Sequence, residues 1–165
     1  MINFKKGPAL SLHQVNYVGA PEAGSEIQAG MVVRVHTDGT IKKGASSATA
    51  PVDALYGFAI NNYNAGDAVE AGKIGVYALD GMSVVETDQT AQTITPTNYP
   101  IGKALSVGTD GLVKAVETNY TGKIIGWVEG IRTIPGQANT RTTLSSGREF
   151  TYPSSTAVLG VKLAS

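Results

Sequence analysis

Two histidines and thirteen carboxylates are the side chains on which chemistry could rest in this sequence, which has no cysteine. Without thiolates, disulfides and sulfur-ligated metal sites are excluded. His13 stands near the start of the chain. His36 stands beside a turn, on the face opposite Val33 and Val35, where a solvated or interface histidine is the plainer reading. The carboxylates are scattered: Asp38, Asp53, Asp67, Asp80, Asp88 and Asp110, with Glu22, Glu26, Glu70, Glu86, Glu117, Glu129 and Glu149. Asp38 and Asp110 each precede a glycine, as does Asp80, and Asp67 follows Gly66, so turn formation accounts for them. No pair stands out as an acid–base dyad, although a glycosidase-type pair could still be assembled by the fold from distant positions. The sequence contains no G-x-S-x-G elbow, phosphate-binding loop, dinucleotide fingerprint, H-E-x-x-H helix or EF-hand spacing. No catalytic residue, metal ligand or cofactor-binding residue is therefore expected, and the chain is not read as an enzyme. Asn119-Tyr120-Thr121 has the form of a glycosylation acceptor, which matters only in a secretory lumen.

A protein without a reaction acts through its surface. The single tryptophan, Trp127, is either a core residue or an interface anchor, since Trp and Tyr are enriched at binding hot spots. Tyr120 and Tyr152, in polar surroundings, and Phe4, near the N-terminus, are further candidate contact residues.

The elements that must carry these residues read as strands. No window of about 11 residues keeps the apolar spacing of a helix. Twenty glycines interrupt the chain, and Val, Ile, Thr and Tyr dominate the apolar runs. Strands are expected over Gln14–Val18, Met31–His36, Thr40–Lys43, Leu55–Asn61, Ala68–Glu70, Ile74–Leu79, Ser83–Thr87, Ala104–Val107, Leu112–Val116, Ile124–Thr133, Glu149–Tyr152 and Val158–Leu163. Asp38-Gly39 and Asp110-Gly111 are expected to close hairpins of type I′, which require positive φ at both central residues. Asp88–Pro100 and Ile134–Gly147 read as loops.

The strands repeat. Gly30–Lys42 aligns without a gap on Gly102–Lys114 at an offset of 72, and Leu55-Tyr56-Gly57-Phe58-Ala59 aligns on Ile124-Ile125-Gly126-Trp127-Val128 at an offset of 69. The alternation agrees: Val33, Val35 and Ile41 share one face, and Leu105, Val107 and Val113 share the matching one. The expected architecture is all-β, a sandwich or small barrel of two repeated β units packed around one core. Its organisation is an N-terminal arm over 1–20, a β core over 21–133 containing the repeat (30–60 and 102–131), and a loop with C-terminal strands or tail over 134–165. The arm and tail are expected to lie on neighbouring subunits.

Lys+Arg and Asp+Glu are both 13, so the formal charge is zero, and charged residues make up only 16%. A nucleic-acid binder would show a basic surplus. No stretch approaches the ~20 apolar residues of a membrane helix, and the N-terminus lacks a signal-peptide core. Neither nucleic acid nor membrane is an expected partner, and the chain is expected to be made in a cytoplasm.

Several of these segments carry a resemblance. Ala29-Gly30-Met31-Val32-Val33 followed by Thr37-Asp38-Gly39, then Leu55-Tyr56-Gly57-Phe58-Ala59, then Tyr99-Pro100-Ile101-Gly102-Lys103-Ala104-Leu105 before a second Asp-Gly hairpin, resemble the small capsid decoration (cement) proteins of tailed bacteriophages. The similarity covers residues 25 to 131. It implies a β-rich, commonly homotrimeric protein on the exterior of an icosahedral virion. Such a protein binds the major capsid protein after expansion and stabilises the shell. The alternative is a fibre or adhesion-type binding module of a phage particle that recognises a surface ligand such as a glycan. That would call for exposed aromatics around a concavity.

Overall fold

The computed structural model describes residues 2–6, 17–45, 55–63, 73–135, 141–143, 149–151 and 155–165. Among them are thirteen strands, one 3-10 turn at Thr109–Gly111 and no α-helix. Five strands form one antiparallel sheet: β2 (Tyr17–Gly19), β3 (Val32–Val35), β4 (Ile41–Lys43), β5 (Tyr56–Ala59) and β6 (Ile74–Ala78) lie in the order β2-β6-β5-β3-β4. Six form a second: β1 (Ile2–Lys6), β7 (Val84–Thr87), β8 (Ala104–Val107), β9 (Val113–Ala115), β10 (Ile124–Pro135) and β13 (Ser155–Leu163) lie in the order β1-β7-β13-β10-β8-β9. A separate hairpin pairs β11 (Arg141–Thr143) with β12 (Glu149–Thr151).

The two large sheets are copies of one topology. Once β1 is set aside, β7-β13-β10-β8-β9 matches β2-β6-β5-β3-β4 strand for strand. Register is conserved as well. Val33 faces Gly57 where Leu105 faces Gly126, and Val32 faces Phe58 where Ala104 faces Trp127. Gly57 faces Ala78 where Gly126 faces Leu163. The turns entering the copies agree: Met31 N–H donates to Gln28 O, Lys103 N–H donates to Pro100 O, and Gly30 and Gly102 both have positive φ. Each five-strand unit, β1 set aside, also curls until its outer strands meet. Pro21 bridges Ile41 in parallel, and Thr90 bridges Val113 in the same way. Ile41 N–H donates to Ala20 O as Val113 N–H donates to Gln89 O. The architecture is thus two repeated, rolled β units.

Their interiors match side chain for side chain. Ile27, Val33, Ile41, Ala59, Ile74 and Val76 fill the first. Their counterparts Tyr99, Leu105, Val113, Val128, Leu159 and Val161 lie in the second. The outer face of the first unit, with Val32, Tyr56, Phe58 and Tyr77, joins that second core, so one continuous apolar body spans both sheets. The units therefore stack back to front. Thr87 Oγ1 donates across the junction to Gly30 O at 2.9 Å, and Gly111 N–H donates to Gly44 O at 3.0 Å.

A glycine recurs where the strands approach most closely. A Cβ on Gly57 would lie 2.3 Å from the Tyr77 carbonyl oxygen, and one on Gly126 would lie 2.3 Å from the Lys162 carbonyl oxygen. Only a residue without a Cβ fits either place.

Several expectations are corrected. Of the strands or tail expected at the C-terminus the structure has strands, and β13, which contains the expected Val158–Leu163, runs between β7 and β10 in the middle of its sheet rather than as a tail. Val158, Leu159, Val161, Leu163 and Ala164 are all buried, so both faces of the strand are covered. Of the extended N-terminal arm expected over 1–20, the described parts are strands within the sheets, β1 pairing with β7 and β2 with β6. β1 and β11 were not expected as strands, and β11 falls inside the expected loop Ile134–Gly147. The hairpin turns also differ from the type I′ expectation. His36 N–H donates to Thr40 O and Gly108 N–H to Leu112 O, so each loop has three central residues. Gly39 is positive in φ while Asp38 is not; Asp110 and Gly111 are both positive. A three-residue loop needs only its last residue in the left-handed region, which Gly39 and Gly111 supply. The expected strand Ala68–Glu70 lies outside the described residues.

Candidate functional site

The turn residues do structural work. Asp38 accepts Thr40 N–H at 2.8 Å and Thr40 Oγ1 at 2.6 Å, and His36 Nδ1 lies 3.1 Å from it. The Thr40 hydroxyl foremost, then its amide and His36, hold the Asp38 carboxyl far below the usual range. His36 is thereby occupied at the turn. Asp110 faces Lys43 at 3.9 Å across the seam between the two units. His13, Asp53, Asp67 and Glu70 lie outside the described residues.

The described carboxylates with the richest surroundings are also structural. Asp80 accepts the Tyr77 hydroxyl at 2.7 Å, the Ser83 hydroxyl at 2.5 Å, and the N–H groups of Met82 and Ser83 at 2.9 and 2.8 Å. It ties the β6–β7 connection into a tight turn. Glu86, buried on β7, receives Arg132 Nε at 3.0 Å and Nη2 at 2.5 Å from β10. This fork passes over β13, where Gly160 pairs with both Glu86 and Gly130. Among the described residues no group of three or more His, Asp or Glu side chains is placed to hold a metal ion, and no helix is long and apolar enough to cross a membrane.

The four expected contact residues are not brought together into one patch. Phe4 sits on β1 opposite Val85. Tyr152 lies outside the described residues. Tyr120 is half-buried, folded onto Gly122, where a Cβ would lie 2.4 Å from its hydroxyl oxygen. Trp127 stands on the outward face of the second unit, 43% exposed, while its counterpart Phe58 is fully buried. Across the strands Trp127 is paired with Ala104 on one side and Lys162 on the other. Lys162 Nζ donates in turn to the carbonyl of Met82, itself 61% exposed. The outward face thus presents Trp127 beside Lys162.

Sequence reasoning missed other surface residues. Ile101, 81% exposed, tops the turn that enters the second unit, and Leu55 is exposed at the start of β5. It also missed Arg34, whose register partners are Lys42 on β4 and Tyr56 on β5. The repeat held a signal for it: Arg34 aligns with Ser106, a charged residue in one copy and an uncharged one in the other.

No protein-family model, curated protein or solved structure matches the chain.

Proposed function

We propose that this chain is a structural virion protein. It docks on the outer surface of a tailed-phage capsid and stabilises the expanded shell through contacts with the major capsid protein. The observation that supports the reading is the difference between Phe58 and Trp127. The first unit buries this position against the second, and the second keeps a larger aromatic there, half in solvent. A tryptophan held on a rigid sheet face is suited to fill a pocket on another protein, because covering it removes apolar surface from water at little conformational cost. Met82 and Ile101 add exposed apolar side chains to the same unit. The protein acts as a homotrimer, so several such contacts are made at once and weak ones sum to firm attachment.

Sedimentation of the purified chain with expanded and unexpanded shells of its phage tests the reading. Co-sedimentation with expanded shells alone, at a fixed ratio to the major capsid protein, is expected, together with a trimer in analytical ultracentrifugation. Failure to bind either shell would defeat the capsid reading and leave the fibre or adhesion module as the alternative to pursue.

A further inference from the structure

Arg34 is a cation in an awkward place. Its Nε is buried without a hydrogen-bond partner. No ion pair engages its guanidinium among the described residues, whereas Lys42 pairs with Glu22 at 2.7 Å and Arg132 with Glu86. Strand register sets Lys42 and Tyr56 on either side of it, with all three side chains leaving the same face of the sheet. Two cations directly opposite on a ladder repel each other. Glu22 answers Lys42, and among the described residues no carboxylate answers Arg34. A buried donor left unpaired costs of order 1–3 kcal/mol, more when charged, so native structures rarely keep one without a reason.

The repeat provides an internal control. At the matching sequence position the second unit carries Ser106, with Lys114 opposite on one side and, across a register shift that the first unit lacks, Ile124 opposite on the other. A closely related ladder therefore accommodates an uncharged residue at this position. Burial foremost raises the pKa of the Tyr56 phenol, with Arg34 acting against it and Tyr120 adding to it. The result is an arginine paired across the ladder with Tyr56, which exposed Leu55 precedes in sequence. Arginine and tyrosine are the residue types that dominate binding hot spots.

We infer that the partly exposed Arg34, at the seam beside buried Tyr56, is an acceptor site for a carboxylate side chain of the protein on which this chain docks. The guanidinium fork matches a carboxylate in two parallel N–H···O bonds and discharges the repulsion with Lys42. A carboxylate is favoured over nucleic-acid phosphate because the chain has no cationic surplus to hold a polyanion. The identity of the docking partner rests on the capsid reading; the site itself does not.

The test uses the full chain labelled with 15N and follows the Arg34 Nε–Hε resonance. Sodium succinate is titrated at constant ionic strength, with sodium phosphate and sodium chloride as separate arms. Saturable movement with succinate and none with chloride is expected; in Arg34→Lys, which keeps the charge and loses the fork, the backbone amide of Tyr56 is followed in both proteins instead, and succinate binding is expected to weaken about ten-fold or more. Equal movement in all three salts, or none with succinate, overturns the site. Saturation by phosphate alone overturns the carboxylate assignment in favour of a phosphoryl group. Arg34→Ser, which copies Ser106, checks the fold: its melting temperature is expected to be unchanged or raised. A fall beyond ~5 °C, roughly 1–2 kcal/mol for a chain this size, would assign Arg34 to stability instead. Arg34→Ser is also expected to lose shell attachment at least about ten-fold, and wild-type attachment by that variant would overturn the docking role. If the unaltered chain binds no shell while succinate still saturates Arg34, the capsid reading fails and the site stands.

Discussion

Phe58 and Trp127 occupy the same register position in two copies of one β unit: Phe58 faces Val32 and Tyr77, and Trp127 faces Ala104 and Lys162. The first lies wholly inside the protein and the second is 43% exposed. Back-to-front stacking is the cause. The outer face of the first unit is covered by the second, and nothing in the second unit covers its own outer face at Trp127.

Truncation at the two positions should therefore separate stability from docking. Phe58→Ala is expected to cost about 3–5 kcal/mol through lost burial and a cavity. Trp127→Ala should cost about 1 kcal/mol or less, as for surface substitutions generally, yet abolish co-sedimentation with shells. Urea denaturation and the shell assay check the two halves. Comparable destabilisation by both variants would place Trp127 in the fold rather than at an interface.

The paired glycines offer a test of the repeat. Gly57→Ala and Gly126→Ala each place a methyl 2.3 Å from a carbonyl oxygen of the neighbouring strand. Each should destabilise by about 1–3 kcal/mol or more, since backbone cannot give way as a flexible side chain can. Equal losses in chemical denaturation are the expected outcome; a neutral effect at either position would mean that its strands are spaced more widely.

Asp80 should give the protein an acid-sensitive turn. Burial works against its ionisation, but hydrogen bonds from Ser83, Tyr77 and Met82 outweigh it and bring its pKa below the ordinary 3.8. A carboxyl with a depressed native pKa stabilises fully above its unfolded value and loses that contribution as pH falls through the native one. Asp80→Asn should be less stable than the parent by about 1–3 kcal/mol at pH near 7. The gap should narrow below about pH 4. Unfolding curves across pH 2–7 would show it, and a gap independent of pH would refute the assignment.

The two ends of the chain should behave differently on truncation. Removing residues 157–165 deletes most of the central strand β13 and its buried apolar residues. The product should fail to fold, with no cooperative melt by circular dichroism. Removing residues 1–6 strips only the edge strand β1 and bares β7. That variant should stay folded but self-associate more readily, because an open strand edge invites pairing. Light scattering on the soluble variant would reveal it.

Much of this molecule was legible in the residues. Alternating Val, Ile and Tyr runs placed most strands, because a pleated sheet repeats every two residues and needs no distant partner to announce itself. The repeat was legible for the same reason: the same turns and alternation recur at fixed offsets, and register follows from them. The two Asp-Gly hairpins were located, though their three-residue loops depend on how the strands twist.

What the sequence alone could not yield was order across the sheet and the choice of which face is covered. The run from Val158 to Leu163 is apolar on both sides, which fits a terminal strand or a central one equally. Only its pairing with both β7 and β10 made it the middle of the core. Trp127 and Phe58 are indistinguishable in local pattern, and burial separated them only because one unit stacks on the other. Arg34 carries no motif; what singles it out is that its buried Nε has no acceptor among the described residues. Local periodicity is a property of the chain, so the sequence determined the strands and their repeat. Stacking and exposure are properties of how distant segments meet, and tertiary structure alone decided them.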